Sequence, residues 1–121
     1  VGYYVVQVKN RPISFLQIEP PLHRTLESYR ANADAQMRAK FRELGDLTPR
    51  PRLHGVSVMG QNLAFYCLDK DKARIDPTYV APSTIYTDTV PEKRWDADIT
   101  TERGYQALMT VIDDVKQMVQ A

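Results

Sequence analysis

The chain has 121 residues with 43% hydrophobic and 26% charged side chains, the balance of one soluble globular domain over residues 1–121 rather than a disordered or fibrous chain. No apolar stretch approaches the roughly 18 residues that a spanning helix needs, so no membrane is expected as a partner. Formal net charge is +1, but residues 1–52 carry nine Lys or Arg against five acids and the remainder seven against ten, a split able to present a basic face to an anionic polymer.

A single cysteine, Cys67, excludes an internal disulfide and a zinc site built on paired cysteines. It sets the expectation of a packed core in a soluble protein of a reducing, intracellular setting. Cys67 lies inside the apolar run Phe65-Tyr66-Cys67-Leu68 and reads as a small buried side chain rather than a nucleophile.

Tyr3 to Lys9 and Ser14 to Glu19 are β-branched and aromatic runs around Lys9-Asn10-Arg11-Pro12, the pattern of a hairpin that Pro20 and Pro21 end. From Arg24 to Leu44, apolar residues at 26, 29, 33, 37, 41 and 44 make one helical stripe. Arg30, Asp34, Arg38 and Arg42 fall on the opposite rows, where Asp34 reads as a surface ion pair with Arg30 and Arg38.

Gly45 and Asp46 stop that helix, and Thr48-Pro49-Arg50-Pro51 is a stiff connector. Leu53–Met59 and Leu63–Leu68 read as strands about a tight Gly60-Gln61-Asn62 turn, with Ala73 to Ile75 as a short edge strand. Pro77, Pro82 and Pro91 interrupt a long surface loop over 76–98, with one candidate strand at Thr84–Tyr86. Thr100 or Thr101 caps a last helix whose buried stripe is Tyr105, Leu108, Ile112, Val115 and Val119. The expected fold is α+β, a ββαββα mixed sheet flanked by two helices.

The five glycines are scattered, so no phosphate loop is present, and His23 and His54 lack acidic neighbours at zinc-ligand spacing. Gln17-Ile18-Glu19-Pro20-Pro21, Ala33-Asp34-Ala35-Gln36-Met37-Arg38, Pro51-Arg52-Leu53-His54-Gly55 and Phe65-Tyr66 together form the most informative pattern. Their order resembles the restriction-endonuclease-like PD-(D/E)XK domains of uncharacterised basidiomycete fungal proteins. Size, mild basicity and a first residue other than Met are also similar to small mushroom ribotoxin-like ribonucleases, on gross features alone.

The first resemblance implies a nuclease-like core, strand acids that hold Mg2+ or Mn2+, and a lysine two residues beyond the acid that helps activate water against a phosphodiester. This chain departs from that pattern at all three positions, with Gln17 and Glu19 for Glu and Lys, and Tyr3 for the upstream Asp. A rebuilt site would use Glu19 and Asp34 as metal-binding carboxylates, His23 as proton donor or acceptor, and Gln17 beside them.

Arg38, Lys40, Arg42, Arg50 and Arg52 form a candidate phosphate-binding cluster, with Tyr79 and Tyr86 available to stack on unpaired bases. The expectation is a nucleic-acid-directed protein, RNA or DNA, with metal-dependent (ribo)nuclease activity at a rebuilt site. The alternative is an inactive relative that binds nucleic acid or a protein partner, including a homodimer paired through the hairpin edge.

Overall fold

The computed structural model describes residues 2–85 and 87–120. Strands β1 (Gly2–Val8) and β2 (Arg11–Glu19) form an antiparallel hairpin. Its turn is only Lys9 and Asn10, both at positive φ (54° and 64°), a geometry whose twist matches that of paired strands. Pro12, expected in the turn, instead enters β2 at a bulge: Gln7 faces Pro12 and Val6 faces Ser14, which leaves Ile13 as the extra residue.

After Pro20, one 3-10 turn over Pro21–Thr25 precedes helix α1 (Glu27–Gly45). The helix therefore starts later than the expected Arg24, because Leu26 holds an extended backbone at its N-cap. Strand β3 (Arg52–Met59) then runs parallel to β2, and β4 (Asn62–Asp69) returns antiparallel around Gly60 at φ 64°. Two short strands share the far edge of β4: β5 (Arg74–Asp76) at its end and β6 (Ala97–Asp98) at its beginning. The result is an α+β fold with a mixed six-stranded sheet, ordered β1-β2-β3-β4-β5 with β6 beside β4.

Strand alternation divides the sheet into two faces. Phe15, Leu53, Ala64 and Tyr66 meet Met37, Phe41 and Leu44 of α1 in the core, where the Phe15 and Phe41 rings sit edge to face at 4.8 Å. The Phe15 ring fills the space over Gly55, where a Cβ would come within 2.7 Å of Cζ and 3.0 Å of Met37 Cε. Ser14, Leu16, His54 and Val56 lie on the other face, under helix α2 (Glu102–Gln120). Thr101 caps α2 by accepting the Gly104 N–H at 3.1 Å, while the Gly104 Cα lies against the backbone of Asp98, leaving no room for a Cβ.

Four expectations are corrected. The row Arg30, Asp34 and Arg38 is buried rather than solvated, with exposures of 5%, 2% and 6%. The segment after β5 closes over that side of α1 and supplies Pro77, Asp88, Val90 and Arg94 as its partners. That segment is also not one loop over 76–98, for it ends in a 3-10 turn, Glu92–Trp95, and in β6. Trp95 is fully buried and donates its indole N–H to Ser57 Oγ at 3.2 Å, so an apolar anchor pins the chain there. Thr84 and Ile85 form a bend rather than a strand, and Tyr86 lies outside the described residues. Lastly, the expected buried stripe of α2 is only half covered: Tyr105 is exposed, Leu108, Ile112, Val115 and Val119 are partly buried, and only Gly104 and Met118 are fully buried.

Candidate functional site

Gln17 and Glu19 stand two residues apart on the α1 face of β2, as the altered signature requires. Gln17 is fully buried: its Nε2 donates to the Ala33 carbonyl at 3.0 Å and its Oε1 accepts from Ser57 Oγ at 2.6 Å. Both ends of the amide are thus spent on tying β2 to α1 and β3. Glu19 Oε2 lies 3.3 Å from His23 Nδ1, and the imidazole stacks on Tyr29 at 4.2 Å between centroids. Pro20 and Pro21 start the turn that swings His23 back over the strand end, so of the expected trio Glu19, Asp34 and His23 only these two meet.

Asp34 belongs to a different cluster. Its Oδ1 accepts from Arg94 Nη1 at 2.6 Å and from the Tyr66 hydroxyl at 2.7 Å, and its Oδ2 from Arg38 Nε at 2.9 Å. Burial first, and the Asp34 carboxylate second, raise the Tyr66 hydroxyl far above the ordinary phenol range. Arg30, the other expected partner, turns to Asp88 at 2.7 Å and to the carbonyls of Val90 and Arg24. Tyr3, at the position of the missing acid, donates to Gln36 Oε1 at 3.5 Å and lies under Lys40 Nζ, 5.0 Å from its ring centre.

The donor set does not suit a divalent cation of the magnesium type, which takes several free oxygens. Asp34 is already neutralised by two guanidiniums, Gln17 is a neutral, fully buried amide whose oxygen already accepts from Ser57, and Glu19 faces an imidazole. Among the described residues no group of three or more His, Cys, Asp and Glu could hold a metal ion.

The five candidate phosphate-binding cations are dispersed. Arg38 is consumed by Asp34 and Pro77, Lys40 by Glu43 at 3.2 Å and the Tyr3 ring, and Arg52 by a bidentate bond to Asp114 on α2 at 2.7 and 3.0 Å. Arg50 lines a small depression of about 190 Å3 near the hairpin turn with Lys9 and Arg11. The reason is geometric, since the chain leaves α1 through the proline connector and β3 alternation sends Arg52 to the α2 face. Only Arg42 remains exposed with no acidic partner among the described residues.

Arg42 gains neighbours that sequence spacing did not reveal. β5 brings Arg74 beside it, and Arg38, Arg42, Arg74, Thr78 and Tyr79 line a depression of about 540 Å3. A second of about 470 Å3 continues from Arg42 past Lys70. Tyr79 is 58% exposed, with Arg38 Cζ 5.6 Å from its ring centre. The run Lys70-Asp71-Lys72-Ala73-Arg74 was the available signal, but only the pairing of β5 with β4 shows that it meets α1.

A further polar cluster ties α2 to the sheet. His54 Nε2 lies 2.6 Å from Asp114 Oδ2, beside the Arg52 bond. Hydrogen bonds from Arg52, then His54, hold the Asp114 carboxyl down at about 2 against the opposing effect of burial. Cys67 faces His54 across the β3–β4 ladder, yet burial pushes its thiol up to about 11. A thiol kept protonated at neutral pH is the opposite of an activated nucleophile.

No family model matches the chain, and searches of curated proteins and of solved structures find no match.

Proposed function

We propose that the domain binds nucleic acid through its phosphates, along the groove between the C-terminal half of α1 and β5, on a nuclease-like scaffold. The observation that carries this reading is the meeting of two exposed guanidiniums, Arg42 and Arg74, the latter loosely paired with Asp76 at 3.4 Å, in one depression with the exposed ring of Tyr79 on its wall, while Arg38, held by Asp34 and Pro77, forms its floor. Guanidiniums match phosphate oxygens in pairs, and an aromatic face accepts an unpaired base of any identity. The likeness to restriction-endonuclease-like domains is supported by the hairpin, the β2–α1–β3 parallel crossover and the placing of Gln17 and Glu19 towards the crossover helix.

Anisotropy of labelled single-stranded RNA and duplex DNA, titrated from 50 to 200 mM salt (roughly the range over which phosphate contacts are lost), tests the proposal. Affinity is expected to fall steeply with salt, and the double variant Arg42→Ala, Arg74→Ala to flatten the slope by about two phosphate contacts. Absence of binding to either polymer at the lowest salt overturns it.

The Glu19–His23 pair supports a second reading, cleavage of RNA or DNA with the pair moving protons. Labelled RNA and duplex DNA incubated with and without Mg2+ or Mn2+ separate the two. Cleavage lost in Glu19→Ala favours catalysis, and intact substrates in every condition leave binding alone.

A further inference from the structure

Helix α2 is tied to the second face of the sheet at three places: Gly104 against the Asp98 backbone, Asp114 on His54 and Arg52, and Met118 buried at the far end. Between these ties it does not close onto the strands. Leu16 and Val56 below and Leu108, Ile112 and Val115 above enclose a cavity of about 360 Å3, open towards β1 where Val6 is 46% exposed. The gap explains why the apolar stripe of α2 is only half covered.

We propose that this cavity binds a small carboxylate with an apolar body, of the size of a medium-chain fatty acid. An apolar cavity of about 150 Å3 takes a benzene, so a space more than twice as large accommodates a body of roughly ten carbons. Ligand sites are largely apolar with a few placed polar groups, and here Ser14 and Lys116 are those groups, His54 sharing the wall with its Nε2 held by Asp114. Ser14 and His54 are register partners on adjacent parallel strands. The Ser14 hydroxyl and the Lys116 ammonium have no protein partner among the described residues; Lys116 is exposed, so its ammonium meets a carboxylate head at the rim while the apolar lining takes the chain. The wall offers no free carboxylate to repel one, because Asp114 is held by Arg52 and His54. The site faces away from the basic groove, so its success or failure is independent of nucleic-acid binding.

Calorimetric titration and thermal melting with decanoate, and with decanol as the uncharged comparison, provide the test. Decanoate is expected to bind one to one and raise the melting temperature, decanol to bind about tenfold more weakly, and Lys116→Gln to bring decanoate to the decanol level. Leu108→Trp, which fills the space, is expected to abolish both while the circular dichroism is unchanged; Val111→Phe serves if that variant fails to fold. Binding of neither probe overturns the proposal, as does equal binding to the filled variants. A concentration-dependent dimer that binds no probe overturns it in favour of a second copy on this face.

Discussion

Arg94 donates to Oδ1 of Asp34 at 2.6 Å across 60 residues of chain, while Arg38, one helical turn away, holds Oδ2. The pair joins the last third of the molecule to the first helix, and Arg94 also donates to the Thr89 carbonyl at 3.2 Å. A carboxylate 3% exposed thus organises two guanidiniums and a phenol. Asp34→Ala would leave both cations without their counter-charge, at a cost of about 3–5 kcal/mol. The urea midpoint should fall accordingly, and the segment 77–90 should become a preferred site of proteolysis. A loss under about 1 kcal/mol would show that the cluster is far better hydrated than its burial implies.

Gly55→Ala is a test of the core on the same face. The added methyl would lie 2.7 Å from Phe15 Cζ and 2.9 Å from Cε1, a contact that the Phe15 ring, packed on Phe41, cannot yield freely. Overpacking of this kind costs about 1–3 kcal/mol. Phe15→Leu removes the opposing atoms, so the double variant should be more stable than the sum of the two single losses. Strict additivity in denaturant melts would contradict the packing.

Asp114 makes stability depend on acid. Its folded pKa, about 2, lies below the ordinary 3.8, so its contribution is fully present above the unfolded value and is lost as pH falls through about 2. At 28% side-chain exposure the difference corresponds to roughly 2 kcal/mol at most, since each unit is about 1.4 kcal/mol. Unfolding free energy should decline between about pH 4 and pH 2, and Asp114→Asn should flatten that part of the curve. An unchanged acid limb would mean that Arg52 and His54 do not hold the carboxylate in solution.

Strands β1 to β5 and both helices were legible because their signals are local: alternation in β2 to β4, a three-and-four stripe in α1, and Thr101 before α2; β6, a two-residue strand held by Trp95 and β4, was not. What failed was long-range. Periodicity places Arg30, Asp34 and Arg38 opposite the apolar stripe, but it cannot show that a proline-bearing segment dozens of residues later lies over them. The same blindness made five cations close in sequence look like one patch, though helix end, connector and strand point them in separate directions. Of the expected Glu19, Asp34 and His23, the two joined by a short proline-started turn do meet, while Asp34, on the helix, is drawn to Arg38, Arg94 and Tyr66. Arg74 was not legible, since only the edge of β4 brings it to Arg42.

Cys67 provides a chemical probe of the β3–β4–α2 junction. Its pKa is raised from 9.0 to about 11 by burial above all, with Arg52 pulling it down and Asp114 pushing it up. At pH 8 roughly one thiol in a thousand is ionised, against about one in ten for a thiol at the ordinary value, so alkylation by iodoacetamide should be about a hundredfold slower in the folded protein. Urea beyond the unfolding midpoint should restore the ordinary rate. Asp114→Asn removes a negative charge near the sulfur and should speed the folded-state reaction, provided that circular dichroism shows α2 still in place. A folded protein that reacts at the unfolded rate would place the thiol in solvent and remove the packing of this junction.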